Sequence, residues 1–183
     1  MTNLKYVERF SEVIQSIDST QGEKIKAAAK LCAQAINNGN MVHLFGSGHS
    51  VLPIQDMFPR YGGVVGFHPL MDPRLMWSNV IGPGGARELL WIERQEGYIR
   101  NFLQSFTFHE GEVMIVYSHG GLNAAPIEVA MYAKQKGMKV VAITSEDNYK
   151  KAQPIHSSGN KLGDVADIII SNCCPLEDAL VSI

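Results

Sequence analysis

The sequence predicts an α/β domain: a doubly wound parallel sheet with helices on both faces, preceded by N-terminal helices. Two observations carry this. Short apolar runs recur along the chain, MVHLF (41–45), EVMIVY (112–117), KVVAIT (139–144) and ADIII (166–170), with a weaker one, VVGF, at 64–67. These runs are continuous rather than alternating, which means burial on both faces, as in a parallel sheet covered by helices. The second observation is that helical patterns separate the runs, and two runs pass directly into glycine-rich turns, GSGHS and SHGG.

The opening segment has apolar residues at Leu4, Val7, Phe10, Val13, Ile14 and Ile17, the three-and-four spacing of a helix. Asp18-Ser19-Thr20 predicts a break and a new start, with Glu23 completing a capping box with Thr20. A second helix then runs through KIKAAAKLCAQAI to a stop at Asn37-Asn38-Gly39. Residues 1–39 are thus read as N-terminal helices suited to oligomerisation and part of the same domain, and 40–183 as the ligand-binding part. Between Gly66 and Glu110 the pattern predicts loop, then one helix around WIERQEGYIRNFLQSF. PIEVAMYAKQKG is a helix between the third and fourth strands. CPLEDALVSI begins like a helix and ends early, so the C-terminal helix is expected to be short or incomplete.

Bulk composition narrows the function. A length of 183 residues suits one domain, since about 100–200 residues per domain is usual. Net charge is -2, with no basic block, so nucleic acid is not expected as a partner. No apolar stretch approaches membrane-spanning length, and the N-terminus has no signal-peptide pattern. Cys32, Cys173 and Cys174 form neither a disulfide framework nor a zinc spacing, and the cytoplasm is the expected compartment.

Two loops carry the chemistry. Gly46-Ser47-Gly48-His49-Ser50 joins a strand to a helix; its glycines permit close backbone approach, and a helix start attracts anions. The plainer reading of Ser50 is an N-cap serine. The motif lacks the third glycine and the distant acid of a dinucleotide site, and it has no phosphate-loop lysine. Ser118-His119-Gly120-Gly121-Leu122-Asn123 is the second such junction, and two loops on one sheet edge make a crevice.

The blocks MVHLFGSGHS and VMIVYSHGGLNAAPIEVAMYAKQKGMKVVAITS resemble the signature blocks of sugar isomerase (SIS) domains. The order GSGHS, MFPRYGG, SHGGLNAAPIE, AITS, HSSGNKL and ADIIISNCCPLEDAL is similar to uncharacterised bacterial members of that family. The resemblance implies a flavodoxin-like fold with five parallel strands, a sugar phosphate ligand, and a homodimer or homotetramer. It places Ser50 and Ser118 as phosphate-binding hydroxyls. Gly120 stands where the family has a second serine, and Asn123 where it closes the motif with a hydroxyl.

Aldose–ketose isomerisation needs a base beside the substrate and an acid to open the ring. Glu93 and Glu96 lie where isomerase relatives place a glutamate, and His156 near their functional histidine; solvated surface and turn roles are the plainer alternatives. Glu128 reads as a helix-start acid. His49 and His119 should line the crevice, whereas His43 reads as a core histidine. No metal or other cofactor is expected, because Asp56 and Arg60 replace the family's ligand positions. The expected function is phosphosugar isomerisation, with a non-catalytic phosphosugar sensor as the alternative.

Overall fold

The computed structural model describes residues 4–77, 84–176 and 179–181. In chain order the elements are α1 (Lys5–Asn37), β1 (Val42–Gly46), α2 (Leu52–Met57), β2 (Phe67–Leu70), α3 (Gly85–Ile92), α4 (Tyr98–Leu103), β3 (Val113–Tyr117), α5 (Ala124–Gln135), β4 (Lys139–Thr144), α6 (Glu146–Lys151), α7 (Leu162–Val165) and β5 (Ile168–Ser171). The five strands form one sheet in the order β2-β1-β3-β4-β5. Every pairing is parallel, with Val42 opposite both Phe67 and Val113. Neighbouring β1 and β3 lead away in opposite directions across the sheet, which puts the topological switch point between their C-terminal ends.

Burial on both faces follows the continuous apolar runs. Val42, Leu44, Val113, Ile115 and Val141 pack with Ala28, Cys32 and Ala35 of α1. Phe45, Met114, Val116, Val140 and Ala142 pack on the other face with Ile99 and Leu103 of α4 and Ile127, Val129 and Ala130 of α5. Leu44 and Phe45 are adjacent, fully buried, and belong to opposite faces. Truncating a fully buried leucine such as Leu44 to alanine costs about 2–5 kcal/mol.

Three expectations are corrected. The N-terminal break does not occur: α1 is one helix of 33 residues, about 50 Å long at 1.5 Å per residue. The Ser19 and Thr20 hydroxyls donate back to the Gln15 and Ser16 carbonyls within the helix, so they do not cap a new one. The weak strand lies three residues later than read, at Phe67–Leu70. Val64 and Val65 are exposed, and Gly66 turns at φ 109 against Ile36 before the strand begins. Pro69 is tolerated because β2 is an edge strand. The single helix expected around 91–106 is two, α3 and α4, separated by a turn in which Gly97 adopts φ 85.

Residues 78–83, within the segment expected as loop, and part of the expected C-terminal helix lie outside the described residues. Among the described residues no helix is long and apolar enough to cross a membrane.

Candidate functional site

Both glycine loops open at the switch point. After β1 the chain turns so tightly that a Cβ on Gly46 would lie 2.2 Å from the Ser50 carbonyl oxygen. Gly48 takes φ 60 and donates its N–H to Leu75 O at 2.8 Å, tying the loop to the segment after β2. His49, Ser50 and Val51 form one 3-10 turn before α2, which has only six residues. The Ser50 and Val51 amides donate to Ser47 O and Gly48 O. The amide cradle read from this loop is therefore mostly turned inward, because a tight turn satisfies its own donors. The His49 ring packs against Trp77 with centroids 4.2 Å apart and planes tilted by 31°.

The loop after β3 is different. Ser118 N donates to Ile143 O, Gly121 N donates to Ser118 Oγ at 3.1 Å, and the His119 carbonyl accepts from Thr144 Oγ1 and Ser145 N. The backbone N–H groups of Gly120, Leu122, Asn123 and Ala124 have no hydrogen-bond partner among the described residues. All four residues line a cleft of about 510 Å3, together with Ser118, Arg94, Glu96 and His156. The first turn of α5 points its positive dipole end into the same space. Arg94 makes no ion pair among the described residues. Ser118 Oγ accepts from Gly121, which leaves its own hydrogen free to donate.

A buried carboxylate joins the two loops. Glu93 follows α3 directly and is 6% exposed. Its Oε2 accepts from Ser47 Oγ and its Oε1 from Asn123 Nδ2, both at 2.8 Å. Its carbonyl also accepts from Ala125 N at 3.0 Å. Burial raises the Glu93 pKa above the usual carboxylate value, against the opposing effects of the Ser47 hydroxyl and the Arg94 charge. Asn123 was expected to replace a phosphate-binding hydroxyl; its side chain instead reaches Glu93, and it does not cap α5.

His156 stands on the opposite wall, its side chain 6% exposed. Nε2 lies 3.6 Å from Glu128 Oε1 and 3.9 Å from Glu96 Oε2. Glu96 is not on a helix; it sits in the α3–α4 turn and accepts from both the amide and the hydroxyl of Ser157. These bonds hold its pKa below the usual carboxylate value. Glu128 of α5 accepts from Gly97 N at 2.7 Å, fixing the same turn.

The structure thus brings together Glu93, Ser47 and Asn123, and around the cleft Ser118, Gly120, Asn123 and His156. Ser50, His49, Gly46 and Gly48 belong to the first loop and do not line this cleft. Two residues were missed. Arg94 was hidden in a helical pattern whose early end was not read. Asn172, after β5, accepts from Cys174 N through Oδ1 and faces His119 Nδ1 at 3.0 Å through Nδ2, so it orients that imidazole. His43 lies at the far end of β1, buried between Glu112 Oε2 at 3.0 Å and His68 Nδ1 at 2.9 Å.

The strand order and the polar cleft at its switch point define a flavodoxin-like α/β domain. A SIS domain profile matches residues 5–145, and the chain belongs to the SIS domain family. A UPF0309 protein of Caldanaerobacter subterraneus subsp. tengcongensis is 38% identical over 179 residues, covering 97% of this chain and 71% of that protein. A UPF0309 protein of Thermoanaerobacter pseudethanolicus is 36% identical over 182 residues, covering 98% of this chain and 72% of its own length. Among solved structures, a phosphoheptose isomerase from Neisseria gonorrhoeae superposes with a TM-score of 0.65 at 19% identity, over 93% of this chain and 82% of that one. The sugar isomerase domain of an RpiR transcription factor from Sphaerobacter thermophilus superposes with a TM-score of 0.51 at 15% identity, over 90% and 73%. At these identities the superpositions establish the fold.

Proposed function

We propose that this chain binds a sugar phosphate in the cleft beside the second loop and isomerises it between aldose and ketose forms. The observation that carries the reading is the set of free amides of Gly120, Leu122, Asn123 and Ala124, with the Ser118 hydroxyl and the Arg94 guanidinium lining the same cleft. Amides at a helix start, a hydroxyl and an unpaired cation make a phosphate site. Ser50 is proposed to add a hydroxyl from the first loop, with Ser47, His49 and His119 as flanking groups. Glu93 is the proposed base: burial raises its proton affinity above that of an ordinary carboxylate, which strengthens it as a proton acceptor. His156 is the proposed acid for ring opening. The likeness of the fold to phosphoheptose isomerases supports this assignment.

The clasp on Glu93 favours a second reading, a phosphosugar sensor, since both carboxylate oxygens are engaged by Ser47 and Asn123. A turnover screen over aldose and ketose phosphates separates the two. Isomerisation abolished by Glu93→Gln supports the enzyme; binding without turnover supports the sensor.

We place the protein in the cytoplasm as a homodimer or homotetramer. Val7, Phe10 and Ile14 of α1 and Leu4 just before it are exposed, and an apolar groove lies between the same helix and the sheet.

A further inference from the structure

Two buried polar atoms, on His156 of the cleft wall and on Glu128 behind it, are left without partners, and they are complementary. Ser158 N donates to His156 Nδ1 at 3.1 Å, and the Ser158 hydroxyl lies 2.8 Å from the same nitrogen. Nδ1 is therefore an acceptor, and the neutral ring carries its proton on Nε2. That Nε2–H is buried and unpartnered. Its distances of 3.6 Å and 3.9 Å to the nearest carboxylate oxygens exceed hydrogen-bond length. Glu128 Oε1 is occupied by Gly97 N, while Oε2 is buried and unpartnered. A donor and an acceptor, each fixed by its own support, thus lie on neighbouring side chains 3.6 Å apart at Nε2 and Oε1.

We propose that His156 Nε2 and Glu128 Oε2 form a subsite for one carbon-bound hydroxyl of the ligand, which restricts the substrate class to polyhydroxylated phosphates. This rests on the phosphosugar reading. A hydroxyl satisfies both atoms, since its oxygen accepts from Nε2–H and its hydrogen goes to Oε2. An ammonium has no lone pair for Nε2–H, and a keto oxygen has no hydrogen for the carboxylate. His156 walls both the main cleft and a cavity of about 150 Å3 that Glu128 lines. Both atoms are covered, so entry of a hydroxyl requires the wall of that small cavity to open while the Ser158 contacts to Nδ1 stay in place. Glu128 is then a specificity residue; it lies in the second turn of α5, not in the first turn as the sequence suggested.

The test is calorimetry on the full chain with inorganic phosphate, a sugar phosphate that binds, and its singly deoxygenated analogues. One analogue is expected to bind the parent protein about tenfold or more weakly. In Glu128→Gln the Gly97 amide holds the side-chain oxygen in the Oε1 position, so an NH2 group faces Nε2–H and the hydroxyl loses its acceptor. Glu128→Gln and His156→Gln should each bind the sugar phosphate and that analogue equally, and Glu128→Gln should keep the parent's inorganic phosphate affinity and thermal midpoint. Equal binding of every analogue by the parent, or discrimination that survives both substitutions, overturns the subsite and assigns the pair to a buried water. Failure of the parent to bind inorganic phosphate and every sugar phosphate refutes the phosphosugar reading itself.

Discussion

Asn123 Nδ2 donates to Glu93 Oε1 at 2.8 Å, and through that bond the loop after β3 is tied to the loop after β1, which reaches the same carboxylate through Ser47. A hydrogen bond to a buried charge contributes about 1.5–3 kcal/mol. Asn123→Ala is expected to lose that amount in urea unfolding, and Asn123→Ser to recover part of it. An Asn123→Ala chain within about 0.5 kcal/mol of the parent would contradict the clasp.

Glu93 also sets a pH dependence. Burial raises its folded pKa above the ordinary glutamate value of 4.5. The unfolded chain releases this proton first, so the group's contribution to stability is full below 4.5 and is lost as pH rises through the folded value. Removing the ionisable group removes that slope. The stability of the parent relative to Glu93→Gln should therefore fall with rising pH in denaturant melts; a flat difference would refute it.

His43 predicts a slope in the other direction. Desolvation lowers its folded pKa below 6.5, against the opposing influence of Glu112. Its neutral form is the one the fold accommodates, so this contribution is present above 6.5 and is lost as pH falls through the folded value. The melting temperature of the parent should drop more on acidification from pH 7 than that of His43→Gln. Parallel curves would exclude His43 as the cause.

Two glycines should respond oppositely to alanine. At Gly46 the new Cβ would meet backbone atoms of Ser50 at 2.2 Å and 2.6 Å. Backbone cannot yield as a side chain can, so Gly46→Ala should cost about 2 kcal/mol or more. Gly22 lies inside α1 with nothing within 4 Å of the added carbon. Gly22→Ala should stabilise the protein by about 0.5–1 kcal/mol. Thermal melts of both variants read the contrast directly.

The sheet was legible because its strands are continuous apolar runs, and both switch-point loops because they follow such runs directly. The edge strand was displaced in the reading because Val64-Val65 resembles a strand locally, while pairing with β1 selects Phe67–Leu70. The α1 break was misread because serine and threonine hydroxyls cap helices in sequence patterns yet also bond backward within them. Within the site, residue identities were visible but partners were not. Nothing local tells Asn123 to reach Glu93, thirty positions away. Asn172 reaches His119 from a strand end far along the chain, and Arg94 reaches the cleft because α3 ends at Ile92.

The central claim is that the second loop holds the phosphate, and calorimetry with a panel of aldose and ketose phosphates tests it most directly. Ser118→Ala and Arg94→Ala should each weaken binding about tenfold or more, as expected for losing a bond to a charged ligand. Ser50→Ala reports the first loop's share. Thermal midpoints near the parent's would show that Ser118→Ala and Arg94→Ala leave the fold intact. Affinities unchanged in both Ser118→Ala and Arg94→Ala would contradict the account and move the phosphate away from this cleft.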